Sequence, residues 1–161
     1  SARTDNALLA FDTRRLLTEP SRALIGRVPV GDAPVGVAVL DGGARIAVTN
    51  SNRFGDSNAT QNLTIIDAQK IASGAAAVLG TVPAGVFPRE LRVTEDQKTL
   101  LLTNFGSKNL AVIDIARLPL ERRERCATFS PVRANRRKRA LSDLMTSAPG
   151  TARRGRGSSL V

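Results

Sequence analysis

Gly26-Arg27-Val28-Pro29-Val30-Gly31-Asp32-Ala33-Pro34 returns 54 residues later as Gly80-Thr81-Val82-Pro83-Ala84-Gly85-Val86-Phe87-Pro88. Both Gly residues, both Pro residues and the Val between them keep their places. The same offset carries Val39 to Val93 and Thr49-Asn50 to Thr103-Asn104. Further along it shortens to 47, where Asn62-Leu63-Thr64-Ile65-Ile66-Asp67 becomes Asn109-Leu110-Ala111-Val112-Ile113-Asp114. The first copy therefore holds a seven-residue insertion within residues 51–61. Ala7-Leu8-Leu9-Ala10-Phe11-Asp12 reads as the worn end of a still earlier copy.

Each copy has one grammar. Short apolar runs rich in β-branched residues are separated by Gly, Pro, Asn and Asp, which is the signature of strands and turns. Val37 and Val39, then Ile46 and Val48, alternate with smaller or polar residues, as a packed sheet face requires. Asp41-Gly42 signals a hairpin because it supplies positive φ at little steric cost. Pro29, Pro34, Pro83 and Pro88 interrupt any helical period. Four short strands in a unit of roughly 40–50 residues is the period of a β-propeller blade.

The ordered set resembles the YVTN-type β-propeller repeat. The second-strand signature stands here as Ala47-Val48-Thr49-Asn50 and Leu101-Leu102-Thr103-Asn104, without the family's leading Tyr. The lead-in Pro-x-Gly-x-x-Pro and the closing Ile-Asp occur in both copies. The resemblance covers about residues 7–115 and implies an all-β fold of four-stranded antiparallel blades in an incomplete ring. It implies strand a of each blade at the central channel and strand d outside. The expected assignment is c at 7–12 and d at 23–30 of a first blade. A second blade has a, b, c and d at 35–40, 45–50, 62–67 and 78–84. A third has a, b and c at 89–94, 99–104 and 109–115. Its strand d is due within a dozen residues, and 127–132 is the nearby candidate, weakened by Pro131.

Composition excludes much chemistry. Among 161 residues there is no His, Trp or Tyr and a single Cys, Cys126. That removes imidazole bases, histidine metal ligands, His-dependent triads, internal disulfides and CxxC zinc sites. No cofactor or metal is expected, and no apolar run approaches the roughly 20 residues of a membrane span. The chain opens on Ser without a signal peptide and reads as processed, trimmed or a fragment. The formal charge of +10 is uneven: residues 1–118 hold 13 basic and 11 acidic groups, residues 119–161 hold 11 and 3. The expected division is a partial propeller over 1–118 and a basic, low-complexity, mostly disordered tail over 119–161, with a short helix near 135–146.

In the implied blade the d–a and b–c loops share one rim, made by residues 31–34, 86–88, 51–61 and 105–108. The candidate ligand contacts are Asn52, Arg53, Phe54, Asp56 and Asn58 in the insertion, and Arg89 at the start of an inner strand. Arg89 stands where the other copy has Val35 and suits an anionic ligand. A tolerated surface insertion is the plainer explanation of the loop, and Asx-rich turns explain Asp56 and Asn58 better than Ca²⁺ does. Asp67 and Asp114 recur at equivalent places and read as turn acceptors. In the tail, Arg136, Arg137, Lys138 and Arg139 could meet an anionic polymer, but no aromatic is interleaved to stack bases, so nucleic acid is not the expected partner.

The function expected is a non-catalytic binding scaffold for a protein or small molecule, completed by the remaining blades of a larger propeller or by self-association. The resemblance implies an extracytoplasmic setting. Two alternatives are part of a lactonase-like propeller hydrolase and anionic-polymer binding through the tail.

Overall fold

A computed structural model describes residues 1–53, 55 and 61–120. The described residues form nine strands: β1 Ala7–Phe11, β2 Leu24–Pro29, β3 Pro34–Leu40, β4 Arg45–Asn50, β5 Asn62–Asp67, β6 Val78–Pro83, β7 Pro88–Val93, β8 Thr99–Asn104 and β9 Asn109–Asp114. They make three antiparallel sheets in strict chain order, β1-β2, β3-β4-β5-β6 and β7-β8-β9. The strands fall within a residue or two of the repeat reading, so one complete four-stranded meander is flanked by two partial ones.

Register carries the repeat into three dimensions. β3 and β4 pair Val39 with Ile46 and slip between Pro34 and Val37; β7 and β8 pair Val93 with Leu100 and slip between Pro88 and Leu91. Both slips sit at the same repeat position. The earliest copy obeys the same rule: β1 against β2 slips after Ala10, and β5 against β6 slips after Ile65. Ala7–Phe11 is thus the third strand of a blade, as its sequence suggested.

The motif residues earn their places at these slips. Thr49 Oγ1 accepts from the Gly36 N–H at 2.6 Å, and Thr103 Oγ1 accepts from the Glu90 N–H at 3.1 Å. Each hydroxyl answers a backbone donor that the bulge takes out of the ladder. Asn50 Nδ2 donates to Asn62 Oδ1 and Thr64 Oγ1, and Asn104 Nδ2 donates to Asn109 Oδ1, tying the second strand to the third. A Cβ on Gly31 would lie 2.7 Å from the Asn50 side chain, and one on Gly85 equally close to Asn104. The Gly of Pro-x-Gly is needed because the Asn of Thr-Asn fills the space beside it.

Asp67 Oδ1 accepts from the Gln69 N–H and Asp114 Oδ1 from the Ala116 N–H, both at 3.0 Å, and Asp12 does the same for Arg14 and Arg15. The carboxylates hold the turn after each third strand, as their recurrence implied. After Asp12 that turn becomes a short helix, α1 (Thr13–Thr18), capped by the same carboxylate. This stretch has no counterpart in the repeat, because α1 belongs to one copy alone.

Two apolar clusters join the sheets face to face. Leu40, Leu63 and Ile65 pack against Leu91, Leu100, Leu102 and Ile113. On its other face the central sheet sets Val48 and Ile66 against Leu8 and Val28. Arg45, only 5 % exposed, clamps the second and third sheets together. Its guanidinium donates to the carbonyls of Ile115, Leu118 and Pro119 at 3.0, 3.0 and 3.1 Å, and pairs with Asp41. This contact reaches one residue past the boundary expected at 118.

Faces without a neighbour are bare at the same repeat positions. Leu63 and Ile65 are fully buried, whereas their counterparts Leu110 and Val112 are 51 % and 45 % exposed. Val37 and Val39 are likewise exposed, while Leu91, the counterpart of Val37, is buried. No fourth strand pairs with β9 among the described residues. The candidate at 127–132 and the short helix expected near 135–146 lie outside them.

Candidate functional site

The d–a and b–c loops do share a rim, because backbone hydrogen bonds zip them together in both copies. Ser51 and Asn52 donate to the carbonyls of Ala33 and Asp32; the equivalent Phe105 and Gly106 donate to those of Phe87 and Val86. An amide side chain fixes each d–a loop from the other side. Asn6 Oδ1 accepts from the Ala33 N–H, and Gln61 Oε1 accepts from the Phe87 N–H. Ala33 and Phe87 both have positive φ, 46° and 56°. The loop demands this conformation whatever the residue, so the strain belongs to the fold and not to Phe87. Gln61 was missed by sequence reasoning; its only signal was its place just before a third strand, matched by Asn6.

On this platform four side chains converge, of which Phe87, Arg89 and Phe105 stand where the first copy has Ala33, Val35 and Ser51, and Arg53 comes from the insertion. Phe87 and Phe105 meet edge to face, with centroids 5.5 Å apart at 89°. The Arg89 guanidinium lies 5.3 Å from the Phe87 centroid and that of Arg53 lies 5.8 Å from it. Both are within the range where a ring's quadrupole attracts a cation. The Arg89 backbone is fixed as well, since its carbonyl accepts from Thr49 Oγ1 at 3.1 Å. Beside the cluster an open depression of about 710 Å³ is lined by Arg89, Glu90, Phe105, Lys108 and Leu110, among others.

The candidate residues thus have different fates. Arg53 and Arg89 come together on one ring. Asn52, buried and at positive φ, lies in the same b–c loop. Phe54, Asp56 and Asn58, and Arg136, Arg137, Lys138 and Arg139 of the tail, lie outside the described residues. Nothing in the sequence pattern marks Phe87 and Phe105 as members of the cluster, because they come from two different loops. Among the described residues no three His, Cys, Asp or Glu side chains gather as a metal site, and no helix is long and apolar enough to cross a membrane.

One four-stranded meander between two partial ones, all packed face to face in chain order, settles the architecture. These are blades of a β-propeller. No family model matches the sequence, and no curated protein matches it. Among solved structures, Kuenenia stuttgartiensis hydrazine synthase, a propeller-containing protein, is similar at a TM-score of 0.57 and 21 % identity over 73 % of this chain. The match takes in 29 % of the hydrazine synthase chain, so the propeller blades here correspond to less than a third of it. At that identity the likeness speaks for the fold alone.

Proposed function

We propose that the chain is a segment of a YVTN-type β-propeller acting as a non-catalytic binding scaffold, with its ligand face on the d–a and b–c rim. The observation that carries this reading is the convergence of Arg53, Phe87, Arg89 and Phe105 on a loop platform braced by Gln61 and Thr49. A rigid scaffold that presents non-repeating side chains from its loops is how repeat folds acquire binding sites. The bare positions Leu110 and Val112 support further blades as its structural partners, since the same positions in the central blade are covered by a blade.

The test is a titration of the ¹⁵N-labelled full chain with a set of small ligands, followed by amide shifts. Shifts confined to 31–34, 51–55, 86–89 and 105–108 are expected. Shifts clustered on the opposite, a–b turn side would overturn the assignment, and turnover of a lactone substrate would overturn the non-catalytic reading.

A further inference from the structure

We infer that Arg89, held 5.3 Å from the Phe87 ring, is the receptor for the carboxylate of a small ligand with an apolar body. The inference rests on reading the rim as a binding face, and it names what that face binds.

The internal repeat separates scaffold from site. Positions that build the blade are alike in both copies: Gly31 and Gly85, Thr49 and Thr103, Asn50 and Asn104, Asp67 and Asp114. The cluster is made of positions that differ. Phe87 replaces Ala33, Arg89 replaces Val35, Phe105 replaces Ser51, and Arg53 comes from the insertion. Folding the blade does not require Phe87, Arg89 or Phe105, since the first copy builds the same loops without them. They nevertheless meet at one place.

The chemistry of that place is specific. A guanidinium drawn to a ring by its quadrupole uses no hydrogen bond for that contact and keeps its N–H donors for other partners. No carboxylate pairs with Arg89 among the described residues, so its fork is available to an incoming oxyanion. A planar carboxylate matches that fork with two parallel hydrogen bonds. The surroundings favour a carboxylate over a phosphate: Phe105 is 68 % and Val86 50 % exposed beside the cations. A strongly hydrated dianion would lose more solvation against such apolar groups. Of the charged groups that line the depression, Glu90 offsets Lys108, so the net positive charge is that of Arg89 and suits a singly charged ligand. Phe105 and Leu110 offer apolar surface for its body, and a depression of about 710 Å³ is in the size range of small-molecule sites.

Benzoate is the minimal probe, with benzamide as its neutral analogue and inorganic phosphate as the competing anion. Titrated into the full chain and followed by amide shifts, benzoate is expected to move Phe87, Arg89 and Phe105. Benzamide and phosphate should bind about tenfold more weakly or worse, the loss of one charge-assisted contact. Arg89→Met should weaken benzoate by about the same factor, with Arg89→Lys in between. Arg27→Met, which removes a distant charge paired with Asp5, should leave it unchanged. Equal binding of benzamide, or Arg89→Met binding benzoate as well as the parent, overturns the proposal; the benzamide comparison needs no variant and decides the matter even if Arg89→Met fails to fold. Neutral ligands binding the rim while carboxylates do not would overturn the carboxylate assignment alone. No rim shifts with any probe would overturn the rim reading too.

Discussion

Replacing Arg45 by Met keeps most of the aliphatic volume and deletes the guanidinium. The structure sets the scale of the loss. The side chain is 6 % exposed and has three carbonyl acceptors across the interface between the second and third blades, besides Asp41. Hydrogen bonds from a charged donor contribute roughly 1.5–3 kcal/mol each, but Asp41 is a third exposed and recovers water when its partner goes. The net cost should therefore lie near the roughly 3–5 kcal/mol found when one member of a buried pair is removed. Against a total of about 5–15 kcal/mol for a domain, that is a large share. Urea unfolding followed by circular dichroism is the assay, with the midpoint falling and the slope unchanged. Asp41→Asn should cost less, because Arg45 keeps its three carbonyls. A loss below about 1 kcal/mol for Arg45→Met, within the range of ordinary surface changes, would refute the clamp.

Other predictions test the repeat grammar. Thr49→Val leaves the Gly36 N–H and the Arg89 carbonyl without their hydroxyl in a fully buried site. It should cost about 1–3 kcal/mol, whereas Thr103→Val, at an exposed position, should cost visibly less in the same unfolding assay. Gly36→Ala places a methyl on the Arg89 carbonyl; it should destabilise more than Gly80→Ala, whose methyl meets only the Pro119 side chain at 3.2 Å, and thermal melts of the two decide. Asp96 is held below the ordinary aspartate range chiefly by the Thr94 hydroxyl, then by the Lys98 N–H. Its contribution to stability is thus present above the unfolded aspartate pKa and is lost as pH falls through the folded value. A ¹³C titration should show the low midpoint, and Thr94→Val should raise it.

Most of the architecture was legible because the chain says it twice. Two copies of Pro-x-Gly-x-x-Pro and Thr-Asn fixed strand limits that one copy would have left vague, and even the single early strand Ala7–Phe11 followed from them. Whatever occurs once was harder to read. The helix Thr13–Thr18 has no echo. Arg45 looked like the polar start of a strand, since its acceptors lie 70 or more residues away. The rim cluster was half legible: Arg53 and Arg89 stood out as charges breaking the pattern, but Phe87 and Phe105 joined them only through the pairing of two loops. The basic run at 136–139 lies outside the described residues.

The contrast between the buried Leu63 and Ile65 and the bare Leu110 and Val112 has a thermodynamic side. Sheets stacked in chain order form a linear array, in which stability is a sum of terms for each unit and for each junction between neighbours. Among the described residues three units share two junctions, and there the central blade alone has a neighbour on both faces. A Leu or Val side chain moved fully out of water contributes roughly 1.5–3 kcal/mol, so Leu110 and Val112, each about half exposed, hold back about half of that apiece. The end units are therefore the weakly held ones. Exchange of backbone amides with solvent should be slowest along β4 and β5 and quicken toward β1 and β9, a gradient that follows the number of neighbours and not the quality of the strands themselves.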